Sequence, residues 1–252
     1  MTDILWTELD DGVLRLTLNR PDKRNALNLA LIDALHQAIE RADLDAQVRV
    51  VTIEGAGKDF CAGADLHELL ASAGQPPEAN ARDAMRLGDL FLAMRGLPKP
   101  VVAIVQGRAL AGGCGLATAC DLVLAHANAQ FGYPEVQRGF VPAMVMALLR
   151  RTVGEKRAFD LVTTGRVVSA DEAASLGLIS RVSSADGFAV DVAAIVRGLA
   201  SASPTALALT KQQFYALDGM QLAEGIRLGA DVNALARSTP DFAAIITSFL
   251  KR

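Results

Sequence analysis

Strand-like and helix-like spacing of apolar residues take turns along the first half of this chain. The start reads as two short strands, Ile4 to Leu9 and Val13 to Leu18, joined at Asp10-Asp11-Gly12, whose Asp-Gly pair signals a tight hairpin turn. The chain turns again at Asn19-Arg20-Pro21. Leu31, Ile32, Leu35 and Ile39 then recur at helical spacing, predicting a helix from about Asn28 to Ala42 with Asn28 as its N-cap. A buried strand, Val48 to Ile53, follows.

The order repeats downstream. A loop and short helix occupy Phe60 to Leu70, a helix lies near Ala81 to Arg95, a strand covers Val101 to Val105, a helix Gly112 to Ala119, and a strand Leu122 to Ala125. Such alternation predicts stacked α/β units with mostly parallel strands. Periodicity alone leaves a doubly wound sheet and a spiral of ββα turns both open. From Met144 onward strand signals nearly vanish and helices dominate, with breaks near Gly165, Gly177, Ser203-Pro204 and Pro240. Ser72-Ala73-Gly74-Gln75-Pro76-Pro77-Glu78 reads as a mobile loop, either a lid or a plain surface connection.

Composition narrows the classes. With 252 residues, 51% of them hydrophobic and 21% charged, the chain can bury a full core without disulfides or metals. A net charge of −3 and the absence of long like-charge runs give no field for nucleic acid. Met1-Thr2-Asp3-Ile4-Leu5-Trp6 lacks a basic, apolar signal segment, and no apolar run approaches the roughly 18 residues of a membrane span, so a soluble, cytoplasmic protein is expected. Cys61, Cys114 and Cys120 sit among small apolar residues and read as reduced core thiols. His36, His67 and His126 are scattered, so no metal site is expected.

Candidate chemistry gathers in two glycine-rich stretches, each after a buried strand and before a helix: Gly55 to Leu66, and Gly107 to Gly115. Small residues let a ligand approach the backbone, and a helix start offers unpaired N–H groups. Two such loops facing each other would aim two donors at one developing oxyanion; alternatively the glycines only permit close helix–strand packing. A dinucleotide fold fails, because the third fingerprint position is Thr118 and the next strand ends in His126 rather than an acid. No Gly-x-Ser-x-Gly elbow is present either.

Taken together, Asn19-Arg20-Pro21 with Asn25-Ala26-Leu27, Phe60-Cys61-Ala62-Gly63-Ala64-Asp65-Leu66, Gly112-Gly113-Cys114, Cys120-Asp121 and Phe131-Gly132-Tyr133-Pro134-Glu135 resemble the successive signatures of the enoyl-CoA hydratase/isomerase (crotonase) superfamily, in order and at its spacing. The resemblance continues through Thr164-Gly165-Arg166 and the segment Ala173 to Ile179, covering essentially the whole chain. It implies an α/β fold: a crotonase-like spiral of ββα units over residues 1–190 and a helical C-terminal trimerisation region over 191–252, assembled as a homotrimer or homohexamer. It implies an acyl-CoA thioester substrate, with coenzyme A as part of that substrate and no separate cofactor. Ala64 and Gly112 match the two backbone donors of the family's oxyanion hole. Ala26, Ala62, Asp65 and Leu66 match segments lining the CoA path, while Lys23 and Arg24 are candidates for its phosphates or solvated turn charges. Phe249 and Lys251 resemble an aromatic and a lysine that reach CoA from a neighbouring subunit, one residue out of spacing.

One departure matters. Family hydratases place two glutamates around a water; the second is present as Glu135, but the first position is Gly115. Glu135 is therefore the expected acid–base group, held with a raised pKa near the substrate's α-carbon. Hydration, proton shuttling as in Δ3,Δ2-enoyl-CoA isomerases, decarboxylation, and a non-catalytic acyl-CoA-binding subunit all stay open. Dienoyl isomerisation is disfavoured, since its second acid would fall at Ala143. Gly115 is expected to leave room beside the substrate's β-carbon, as in hydratases of branched methylglutaconyl-type thioesters. Arg138 would meet a substrate carboxylate or simply face solvent, and Tyr133 would orient water or pack.

Overall fold

The computed structural model describes residues 3–251. Strands β1 (Leu5–Asp10) and β2 (Val13–Leu18) form the expected hairpin, with Asp10 opposite Val13. Asp11 and Gly12 both take positive φ, 45° and 79°, as a two-residue turn that follows strand twist requires. Helix α1 (Leu29–Leu44) starts where the cap was expected: the Asn28 side chain accepts a hydrogen bond from the Leu31 N–H, and Leu31, Leu35 and Ile39 face inward.

The large sheet has the order β1-β2-β3-β4-β6-β9, with β3 (Val50–Gly55), β4 (Val101–Val105), β6 (Leu122–His126) and β9 (Arg181–Ser183); every pairing after the hairpin is parallel. A second sheet joins β5 (Arg108–Leu110) in parallel to β7 (Gln130–Gly132), which pairs antiparallel with β8 (Val167–Ser169). The chain visits the sheets alternately. It runs from β4 to β5 to helix α4 (Gly112–Ala119), then from β6 to β7 to a 3-10 helix (Pro134–Arg138) and α5 (Ala143–Val153). In the earlier turns single bridges replace the short strand, Leu27 beside Ala64 and Cys61 beside Ala109. That alternation makes the fold a spiral of ββα turns and not a doubly wound sheet.

Several expectations change. The segment Ser72 to Glu78 is not a long loop: α2 (Leu66–Ser72) ends and α3 (Pro77–Gly96) begins within it, because Pro77 fits the first helical position, where its missing N–H costs nothing. Strands persist beyond Met144 as β8 and β9, each three residues long and too short to show a period. Part of the second glycine stretch is strand β5 rather than loop.

Leu16, Leu18, Leu35, Ile53, Phe60, Leu90 and Met94 are fully buried between the sheets and helices α1, α3 and α4. After α6 (Glu155–Thr164) and α7 (Ala170–Leu176), helix α8 (Phe188–Ser201) packs Val196 on the other face of the large sheet against Val50, Val102 and Leu124. The expected boundary at residue 190 therefore falls inside a helix that packs with the spiral. Helix α9 (Pro204–Ala216) is tied down by Lys211, whose ammonium donates to the carbonyls of Met94 and Lys99 and to Asp121. By contrast, α10 (Leu222–Arg237) and α11 (Pro240–Leu250) bury no residue, and Leu222, Ile226, Ile245 and Phe249 stand exposed. Among the described residues no single helix is long and apolar enough to cross a membrane.

Candidate functional site

The two motif stretches meet at the end of the spiral turns. The segment 24–27 is laced to 62–65: Ala62 N–H donates to the Arg24 carbonyl at 3.0 Å, Leu27 N–H to Gly63 at 2.8 Å, and Asp65 N–H to Leu27 at 2.8 Å. Because Leu27 exchanges both its bonds with the neighbours of Ala64, the N–H of Ala64 itself points the other way. Among the described residues it donates to nothing.

Gly112 opens α4, so its N–H has no intrahelical partner, and among the described residues it has no other. A methyl group on Gly112 would stand 3.9 Å from the Ala64 nitrogen and 3.7 Å from Leu27 Cδ1 and Leu87 Cδ2. Nothing in the chain itself demands a glycine here. Gly113 is different: a Cβ there would lie 2.3 Å from the Cys61 carbonyl oxygen, so close packing does require it. Ala111, just before α4, holds φ 50° and ψ −128°, a conformation costing an alanine about 1–3 kcal/mol. Bonds from its N–H to Gly132 and from Gly115 N–H to its carbonyl over-determine it. The strain fixes the direction in which α4 starts.

Glu135 arrives from the neighbouring strand. Leu110 in β5 pairs with Gly132 in β7, and β7 leads through Tyr133 and Pro134 into the 3-10 helix that carries Glu135 in its first turn. The residue is 7% exposed, and Oε2 is buried without a hydrogen-bond partner among the described residues. Burial pushes the carboxyl above the ordinary glutamate value, against a smaller opposing pull from its own backbone N–H and from Arg138. Tyr133 is fully buried, with its hydroxyl 2.9 Å from that of Thr118; this is packing, not a group aimed at solvent. The side chain of Arg138 is exposed at the end of the same turn.

The expected CoA-path residues lie on one ledge. Lys23 and Arg24 are exposed there, Arg24 in a left-handed turn with φ 51°, 4.0 Å from the Asp59 carboxylate. Ala26 and Ala62 are half-buried and Leu66 is exposed. The Asp65 carboxylate is already committed: it pairs with Arg20 at 2.8 Å and caps α2 through the His67 N–H, and the Arg20 bond holds its pKa below the ordinary aspartate value despite burial. Arg20 and the buried Asn25 were visible as signature residues without a role. Asn25 donates to the carbonyls of Ala56 and Asp59 and accepts from the Arg20 N–H, which locks the ledge together.

One expectation is corrected outright. No room lies beside Gly115: a methyl there would sit 2.1 Å from Val145 Cγ1 and 3.3 Å from Phe91 Cζ. Val145, reaching over from α5, fills that volume, and nothing in local sequence spacing announces a contact between residues thirty positions apart. The three cysteines are buried free thiols, with Cys61 and Cys114 both pushed up to about 12 by burial, which keeps them protonated and poor nucleophiles.

The ββα spiral thus brings the Ala64 and Gly112 N–H groups, unbonded among the described residues, to the two motif stretches, with the buried Glu135 carboxylate on the segment that follows β7. The sequence model described as enoyl-CoA hydratase/isomerase matches residues 8–252, and the chain belongs to that family, whose substrates are acyl-CoA thioesters. A Thermus thermophilus protein provisionally named an enoyl-CoA hydratase is 43% identical over 235 residues, covering 93% of each chain. The 2,3-dehydroadipyl-CoA hydratase of Escherichia coli is 36% identical over 241 residues, covering 95% of this chain and 92% of that one. The crystal structure of an enoyl-CoA hydratase from Mycobacterium smegmatis superposes with a TM-score of 0.94 at 34% identity, covering 99% of this chain and 96% of that one.

Proposed function

We propose that this enzyme adds water across the double bond of an enoyl-CoA thioester, with Glu135 as its one acid–base group and the N–H groups of Ala64 and Gly112 as its oxyanion donors. The observation that carries this reading is the Glu135 carboxylate: its Oε2 is buried without a partner among the described residues, three positions after Gly132, whose carbonyl accepts from the Ala111 N–H at the start of α4. A protein rarely leaves such a group unsatisfied without a use for it.

The ionised carboxylate takes a proton from water as the hydroxyl oxygen bonds to the β-carbon. The π electrons shift toward the thioester, and charge gathers on its oxygen, where two preorganised N–H donors stabilise it. The enolate then re-forms its carbonyl as the α-carbon receives the proton from Glu135. One water is consumed and the carboxylate is regenerated. Coenzyme A enters as part of the substrate, so no separate cofactor takes part. On this reading Lys23 and Arg24, exposed on the ledge, meet its phosphates, and the half-buried Ala26 and Ala62 flank its pantetheine arm; their exposure supports this.

Exposed apolar side chains on α10 and α11 support assembly into a homotrimer or a dimer of trimers, since helices that bury nothing in one chain gain stability against another. Isomerisation is the second reading. It is favoured by the glycine at 115, which supplies no second carboxylate at that place in the helix.

Absorbance at the conjugated enoyl-thioester band separates the two. Crotonyl-CoA or a longer 2-enoyl-CoA should lose the band on addition of enzyme. Gain of the band from a 3-enoyl-CoA, with none lost from 2-enoyl-CoA, would make the enzyme an isomerase.

A further inference from the structure

Gly115 lies one helical turn after Gly112 on α4, so their α-carbons share a face of that helix. The Val145 isopropyl group stands where a Gly115 side chain would be, and Val145 itself is 3% exposed. The nearest side chains are apolar. Leu27 and Leu87 border Gly112, and Phe91 stands beside Val145 over Gly115. Valine is stiff at χ1, so a wall built from it does not swing aside for a ligand.

We infer that Val145 is a specificity-determining residue, whose Cγ1 methyl, lodged over Gly115 one turn from Gly112, limits substitution at the acyl carbons next to the thioester. The inference rests on the proposed placement of the thioester oxygen at Gly112. Gly115 follows Gly112 by three residues, about 4.5 Å of helical rise, so an acyl chain that runs along this face of α4 brings its β-substituent to Val145. An unbranched acyl chain passes; a β-methyl branch meets the valine. The closed space at Gly115 thus makes the site narrower at the β-carbon, the reverse of what glycine alone suggests.

Saturated thioesters read this shape without chemistry. Dissociation constants for butyryl-CoA and 3-methylbutyryl-CoA are measured by calorimetry on the assembled protein and on Val145→Ala and Val145→Ile. Val145→Ala should shift the ratio of the two constants toward the branched thioester by about tenfold or more, the scale of one methyl or methylene in an apolar pocket. Val145→Ile should shift it the other way, which keeps the test decisive if the alanine variant folds poorly. Equal changes for both thioesters, with crotonyl-CoA hydration by the wild type intact, would overturn the inference alone. Failure of the wild type to bind either thioester would overturn both the inference and the placement of substrate on which it rests.

Discussion

Glu135 and Asp121 are both shielded carboxylates, and the fold treats them in opposite ways. Asp121 has every oxygen engaged: Oδ2 accepts from the Val101 N–H and from Lys211, each at 2.7 Å, and Oδ1 accepts from the Tyr215 hydroxyl at 2.7 Å. Lys211 in turn spends its remaining donors on the Met94 and Lys99 carbonyls, and Arg95 stacks over the Tyr215 ring at 4.5 Å. Glu135 has an Oε2 with no partner among the described residues. The first arrangement clasps α9 to the spiral. The second keeps a carboxylate desolvated, which raises its basicity and costs the fold stability. Satisfaction of hydrogen bonds, more than burial, is what separates these two acids.

That contrast can be broken at either end. The largest expected effect is on the clasp: Lys211→Met removes the ammonium and leaves Asp121 shielded without its charge partner, which should cost about 3–5 kcal/mol in urea unfolding. Turnover per folded molecule should stay near wild type. A loss of turnover in fully folded protein would show that the clasp serves the site as well as the fold. Next comes the oxyanion pair. Replacing the amide that carries the Gly112 N–H with an ester, by semisynthesis, deletes one donor while leaving the side chains untouched. The value of kcat should fall by roughly 10²–10³. Stability should fall only modestly, because that N–H makes no bond among the described residues and the ester weakens one acceptor, the Ala111 carbonyl bonded by Gly115 N–H.

How much of this was legible in the sequence depends on the range over which each feature is encoded. The β1–β2 turn is written in Asp11-Gly12 and the start of α1 in Asn28, since a turn or a cap is settled by residues a few positions apart. The ledge that joins 24–27 to 62–65 was visible as two motifs, though not as the hydrogen bonds that lace them. Asp65 matched a binding segment, yet its carboxylate belongs to Arg20, 45 positions away. Val145 over Gly115 and Lys211 beneath Asp121 were invisible for the same reason: each pairs residues brought together only by the closing of the spiral. Strands β8 and β9 escaped because three residues cannot display a period of two against the helices around them.

Glu135 carries the proposed chemistry, and the pH dependence of Glu135→Gln beside wild type is the sharpest test of that role. Burial raises this carboxyl's pKa in the folded state, so its ionisation weakens the fold as pH rises through that range, and the amide removes the penalty. The variant should therefore be at least as stable as wild type at neutral pH. Its kcat on the enoyl-CoA substrate should drop by roughly 10²–10⁴. Wild-type kcat/KM should fall on the acid side with a midpoint above the ordinary glutamate value, and that limb should be absent from the residual activity of the variant. Turnover close to wild type in Glu135→Gln, or an unchanged acid limb, would contradict the assignment of Glu135 as the acid–base group.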